Sequence, residues 1–157
     1  MCEKIIWATD GSAAADRALE SAKALARAGH GTLVVLHCKE LFVGRASGYP
    51  VLADETELVE KIRKQADALR DEGLDATFEL ATVTAPGAAH AIADAADDLG
   101  ADVIVVGTRG HTPFAGLLLG SVTQRLLHIA HCPVLAVPPT RPAQLVERRE
   151  EEAIAGR

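Results

Sequence analysis

Apolar residues recur along the chain with two different periods. Five short runs have strand character: residues 4–8 (K-I-I-W-A), 32–38 (T-L-V-V-L-H-C), 76–81, in which Phe78 and Leu80 alternate with polar neighbours, 103–106 (V-I-V-V), and 133–137 (P-V-L-A-V). Between them, four stretches place apolar residues at helical spacing. Residues 13–28 do so through Ala14, Ala18, Ala22 and Leu25, residues 54–72 through Leu58, Ile62, Ala66 and Leu69, and residues 86–99 and 122–130 follow suit, the last with Leu126 and Ile129. The punctuation agrees. Ser12 is placed to cap the first helix and Gly29 to stop it, while Pro86 and Gly100 bracket the third. Strands that alternate with helices predict a doubly wound, parallel α/β sheet with right-handed crossovers. The alternating third strand and the proline-bracketed last strand suit sheet edges. Residues 39–53, with Gly44, Gly48 and Pro50, read as an irregular loop, long enough to suggest a functional role.

The chain of 157 residues is long enough for one domain with its own core. Its alanine-, valine- and leucine-rich, aromatic-poor composition requires that core to be built from small aliphatic side chains. A net charge of −6 without a basic stripe argues against nucleic-acid and membrane-surface partners. Cys2, Cys38 and Cys132 are odd in number and lack metal-site spacing, which points to a reducing, cytoplasmic setting. No run approaches the roughly 18 apolar residues of a spanning helix, and the first residues lead directly into a strand rather than a signal peptide. The division expected is a domain over residues 1–140 and a charged tail over residues 141–157.

The chemistry concentrates in residues 101–132. The fourth apolar run breaks at Gly107, Gly110 punctuates the following loop, and Gly120-Ser121 leads into the last helix. A strand, a glycine-punctuated loop and a helix start form an anion site, because the first N–H groups of a helix lack partners and its dipole is positive there. Gly107 would let a ribose or phosphate approach the strand end, Gly110 would permit a positive φ, and Gly120 would bare the backbone beside the helix. Ser121 would cap the helix or bind phosphate. Each glycine alone also reads as a simple turn or cap. At the end of the first strand, Asp10 reads equally as a group facing Gly107 across the crevice or as a turn-forming Asx before Gly11.

The spacing G-x2-G-x9-G-S over Gly107, Gly110 and Gly120-Ser121 resembles that of the universal stress protein family, as do G-S-V-T at 120–123, A-T-D-G-S at 8–12 and the terminal C-P-V-L-A-V-P. The resemblance covers roughly residues 4–138. It implies a five-stranded parallel sheet of order 3-2-1-4-5, Rossmann-like and of the adenine nucleotide alpha hydrolase-like type. It implies ATP or AMP as ligand, with Mg2+ or Mn2+ accompanying ATP. Asp10, with Thr9 beside it, and the backbone at Cys38 would lie near the adenine, Val106 and Gly107 near the ribose, and Gly110, Gly120, Ser121, Val122 and Thr123 around the phosphates. Members of the family commonly dimerise through the last strand, and Pro133-Val134-Leu135-Ala136-Val137 carries no charge to discourage such pairing. The turn Thr84-Ala85-Pro86-Gly87 departs from the Gly-x-Pro order usual there.

The reading that follows is a stress-response or signalling module in which nucleotide occupancy sets conformation and dimer contacts. The alternative is a slow ATPase or nucleotidyl-transferring enzyme in the same crevice. No P-loop and no dinucleotide fingerprint is present, and Asp10, Arg109 and His111 make a thin set for phosphoryl transfer, so no catalytic residue is assigned. No metal ligand is assigned either. The pairs His37-Cys38 and His131-Cys132 fall on strands that would not be neighbours, and His30 and His128 read as surface groups.

Overall fold

The computed structural model describes residues 2–43, 50–51, 55–109 and 119–138. In chain order these form β1 (Lys4–Ala8), α1 (Ala13–Gly29), β2 (Thr32–Val43), β3 (Pro50–Val51), α2 (Thr56–Asp71), β4 (Ala76–Thr84), α3 (Ala88–Leu99), β5 (Val103–Gly107), α4 (Ser121–Ile129) and β6 (Val134–Val137). Five strands lie parallel in the order β4-β2-β1-β5-β6, which is the expected 3-2-1-4-5 of the major strands. The two residues of β3 add an antiparallel pairing to the far end of β2.

Side chains alternate cleanly across the sheet. Ile5 and Trp7 of β1, Leu33 and Val35 of β2, and Val103 and Val105 of β5 pack against the alanine stripe of α1 and against Ile62, Ala66 and Leu69 of α2. On the other face, Ile6, Val34, Leu36, Ile104 and Val106 meet Ala89, Ile92, Ala93 and Ala96 of α3 and Leu126 of α4. Strands buried on both faces explain the unbroken apolar runs of β1, β2 and β5. At the opposite end of the sheet, the Asp102 carboxylate accepts the N–H groups of Glu3 (2.7 Å) and Lys4 (2.9 Å). The Lys4 N–H first, and then that of Glu3, holds this carboxyl below the ordinary aspartate range. Since the folded state favours the ionised form, the tie is present at neutral pH and is lost as the pH falls through the carboxylate range.

One expectation needs correction and one needs refinement. Residues 39–43 are not loop: they continue β2, with Lys39, Glu40 and Leu41 in register with Thr82, Val83 and Thr84 of a correspondingly longer β4. Charges at 39 and 40 mask a strand that has run beyond the end of β1, where the sheet is only partly covered. α1 ends at Gly29 as read, but the left-handed cap is the residue after it. A Cβ at Gly31 would lie 2.6 Å from the Cys2 carbonyl oxygen, and Gly29 faces the same backbone, so both glycines serve close approach to the first strand. The left-handed residue is His30, at φ 51°.

A non-glycine residue in that region is strained. His30→Gly should therefore raise stability by about 0.5–1 kcal/mol, read as a higher urea midpoint with an unchanged m-value; a lower midpoint would show that His30 makes compensating contacts.

Candidate functional site

The chain passes from β1 to β2 on one side and returns to β5 on the other, so the strand order reverses at β1, where open α/β sheets bind ligands. A crevice of about 690 Å3 lies there, at the carboxyl ends of β1, β2 and β5. Its lining includes Thr9, Asp10, Cys38, Val106, Gly107, Gly120, Ser121, Val122 and Thr123. These are all the residues assigned to the site from sequence except Gly110, which lies outside the described residues together with His111.

Local structure fixes each of them. Thr9 continues β1 with its N–H bonded to the Leu36 carbonyl (2.9 Å), while its hydroxyl accepts from Gly11 N–H (3.0 Å). Asp10 takes the Asx role, its Oδ1 accepting from Ser12 N–H (2.9 Å), and it lines the crevice as well, so its two readings are compatible. Ser12 caps α1 by accepting from Ala15 N–H (3.3 Å). Burial first, and then the charge of Glu40, pushes the Cys38 thiol up to about 11, so it presents a neutral, unreactive wall.

The start of α4 differs in a useful way from the expectation. Gly120 is its N-cap and Ser121 is the first helical residue, so Ser121 does not cap. Gly120 has an extended backbone, φ −69° and ψ 157°, and no side chain caps the helix. Its first intrahelical bond runs from Gln124 N–H to Gly120 O (2.9 Å), so the N–H groups of Ser121, Val122 and Thr123 have no acceptor within the helix. The Thr123 hydroxyl donates to the Gly107 carbonyl (2.8 Å) and thereby fastens α4 to the end of β5. The reason for Gly107 also changes. A Cβ there would lie 2.8 Å from the carbonyl carbon and oxygen of Ala14, so this glycine lets α1 approach β5 while also lining the crevice.

Three polar residues of the wall were not assigned to the site from the sequence, although Arg109 was weighed for phosphoryl transfer and His37 as a metal ligand. Glu40 accepts the N–H groups of Gly87 (2.9 Å) and Ala88 (3.0 Å) and so caps α3 from a neighbouring strand. His37 is buried, with Nδ1 2.8 Å from the Thr9 carbonyl oxygen and Nε2 3.1 Å from a carboxylate oxygen of Glu55. The available signal was a histidine ending an otherwise apolar strand. Arg109 lines the crevice and is exposed. Among the described residues, no three His, Cys, Asp or Glu side chains converge on a metal position, and no helix is long and apolar enough to cross a membrane.

A parallel sheet with this strand order, opening at its switch point beside a glycine-led helix start, defines a Rossmann-like class of fold. The model of the universal stress protein family matches residues 1–138, and the chain belongs to that family. It is 39% identical over 140 residues to a Thermus aquaticus universal stress protein encoded in the QAH/OAS sulfhydrylase 3′ region, spanning 87% of this chain and 99% of the relative. The solved structure of MJ0577, a universal stress protein of Methanocaldococcus jannaschii, aligns with a TM-score of 0.67 at 26% identity over 90% of this chain and 99% of its own. A universal stress protein solved in complex with cAMP aligns with a TM-score of 0.61 at 25% identity, covering 87% of this chain and 97% of its own.

Because the space beside Gly107 is filled by the α1 backbone, Gly107→Ala should lower stability by about 1–3 kcal/mol in chemical denaturation. An unchanged midpoint would mean that α1 can move away from β5 without cost.

Proposed function

We propose that this protein is a cytoplasmic adenine-nucleotide-binding module, occupied by ATP or AMP, that acts in stress response or signalling through nucleotide-dependent conformation and dimer contacts. The observation that carries the reading is the uncapped N-terminus of α4 opening on the crevice. Phosphate would rest on the N–H groups of Ser121, Val122 and Thr123, with the helix dipole favouring its charge and Arg109 near enough to add to it. Thr123 would contribute its backbone, since its hydroxyl proton is directed to Gly107. The base would lie toward Asp10 and the backbone at Cys38, and the ribose between them at Val106 and Gly107. The similar structure that holds cAMP supports a ligand of this chemistry. Mg2+ or Mn2+ would arrive with the triphosphate, held by its oxygens. Three free cysteines agree with a reducing compartment, and the end of the family match at residue 138 agrees with one domain followed by a separate charged tail.

Calorimetry with ATP and AMP tests the reading. The backbone at Gly120 is open to any residue, so Gly120→Val adds bulk at the helix start without straining the chain. Binding by the wild type should fall at least about 100-fold in this variant, comparable to losing about 3 kcal/mol of phosphate contacts. Equal affinity in a folded variant would remove phosphate from this helix start.

The dimer we propose uses β6. Among the described residues this strand pairs only with β5, and Leu135 is 39% exposed, so an apolar edge stands open for antiparallel pairing with a second copy. Light scattering at tens of micromolar should report a dimer for the wild type and a monomer for Leu135→Lys. A wild-type monomer at that concentration would exclude this interface.

A further inference from the structure

Three elements of the crevice wall meet at one buried imidazole. His37, 3% exposed, stands on β2 with Nδ1 2.8 Å from the Thr9 carbonyl oxygen of β1's end and Nε2 3.1 Å from Glu55 Oε2 at the start of α2. A peptide carbonyl and an ionised carboxylate can only accept hydrogen bonds. A neutral imidazole has one N–H, so it satisfies one partner and turns a lone pair toward the other. The arrangement is complete only with one more proton, on the ring or on Glu55, and that proton belongs to the pair.

The pair ties together parts that line the crevice. The peptide unit before Asp10 is held through the Thr9 carbonyl by His37, and the Thr9 N–H is bonded to Leu36 (2.9 Å). Glu55 occupies the N-cap position of α2 but makes no side-chain cap bond, so its carboxylate faces the sheet through the ring. When the proton leaves, one of the two contacts becomes a meeting of lone pairs in a buried place, which is costly. Glu55, with 23% of its side chain exposed, can turn to water, whereas the Thr9 carbonyl cannot.

The other ionisable groups around this wall are engaged elsewhere or turned away. On the loop after β1, Asp10 accepts from Ser12 N–H. On β2, Glu40 caps α3, and Cys38 packs with the cluster on the opposite face of the sheet from His37. On α2, Lys61 donates to the Gly11 carbonyl and to Asp16. Beyond β5, Arg109 lines the far side of the crevice, and α3 contributes Ala88 and Ile92.

We propose that His37 and Glu55 form a proton-operated latch on the crevice: with the shared proton bound, the start of α2 is tied to the ends of β1 and β2, and ligand affinity falls as that proton leaves. The latch rests on the crevice being the nucleotide site. Imidazole is the side chain whose charge can change between about pH 5 and 8, which makes that the range to test.

The probe is cAMP, because its phosphodiester keeps one charge over this range while the monoester of AMP titrates within it. Calorimetry should show wild-type affinity for cAMP falling roughly 5- to 10-fold from about pH 6 to about pH 8. The control is Glu55→Gln. A glutamine amide can donate to Nε2 of a neutral ring whose Nδ1–H serves Thr9, so this variant keeps the tie without the extra proton, and its affinity should change by less than about twofold. Wild-type affinity flat with pH, or a Gln variant that follows the wild type, overturns the latch. Ring nitrogen-15 spectra of the ligand-free protein test it separately: the His37 ring signals should change between about pH 6 and about pH 8 in the wild type and stay constant in Glu55→Gln. Wild-type ring signals that are the same at both pH values overturn the latch whatever binds. The expected spectra with no adenine nucleotide bound at any pH would support the proton switch and overturn the nucleotide reading instead.

Discussion

The close approach of α1 to the middle of the sheet is the constraint on which the rest depends. Its buried positions are all alanine, at 14, 15, 18, 22 and 26. Gly107 offers no Cβ where the backbone at Ala14 passes, and the buried Trp7 indole donates to the Ala15 carbonyl (2.9 Å). The helix axis is thus held low over β1 and β5. With α1 seated, the turn Asp10-Gly11-Ser12 must stand directly above the end of β1, and the end of β5 is left beside it. The crevice exists because those two strand ends are adjacent while the connections leaving them part to opposite faces. A larger side chain along the alanine stripe would act on the site as much as on the core.

That arrangement was legible where one force acted alone. Strands buried on both faces read as plain apolar runs, and helices with one buried stripe read at their proper period, so the elements and their order followed from pattern and the family resemblance. The strand-loop-helix stretch was legible because Gly107 and Gly120 mark the end of a buried strand and the start of a helix, both of which line the crevice. What stayed hidden involved contacts between segments distant in sequence. Gly107 was assigned to the ligand because nothing in its neighbours reveals that Ala14 lies against it. Gly29 was read as the stop of the first helix, and the left-handed residue falls one position later, at His30, because the backbone at Gly29 and Gly31 lies close to Cys2. The roles of Glu40 and His37 stayed hidden because their partners, at Gly87, Ala88, Thr9 and Glu55, are 18 to 48 positions away.

The extension of β2 beyond β1 accounts for those hidden residues together. A strand that stopped at Cys38 would end level with the crevice floor. By continuing in register with β4 as far as Leu41, it raises a wall on one side and delivers the Glu40 carboxylate to the start of α3. Strand and helix are thereby joined by a charge-assisted bond across the wall. His37, one turn of the pleat below, faces the other layer of helices and makes the corresponding link to α2. The long β2–β4 ladder is therefore a support for both helical layers at the point where each meets the crevice.

Charge is distributed around the crevice in a way that the chain's overall value of −6 conceals. Fields of exposed charges fade over about 8 Å at physiological salt, so the groups at the wall decide what can settle there. Four helices begin around the crevice, and α2 starts there at the Glu55 carboxylate. Ser12 occupies the first turn of α1 and Glu40 that of α3, and both are therefore closed to an added anion. The carboxylates of Asp10, Glu40 and Glu55 all stand on the β1–β2 side. On the β5 side, α4 begins without a side-chain cap and Arg109 is the neighbouring cation. An anionic group entering the crevice meets repulsion on one side and free N–H donors on the other, so its position is decided before any shape complementarity acts. A ligand with one anionic end and one neutral, hydrogen-bonding end is the kind of molecule such a divided field would orient.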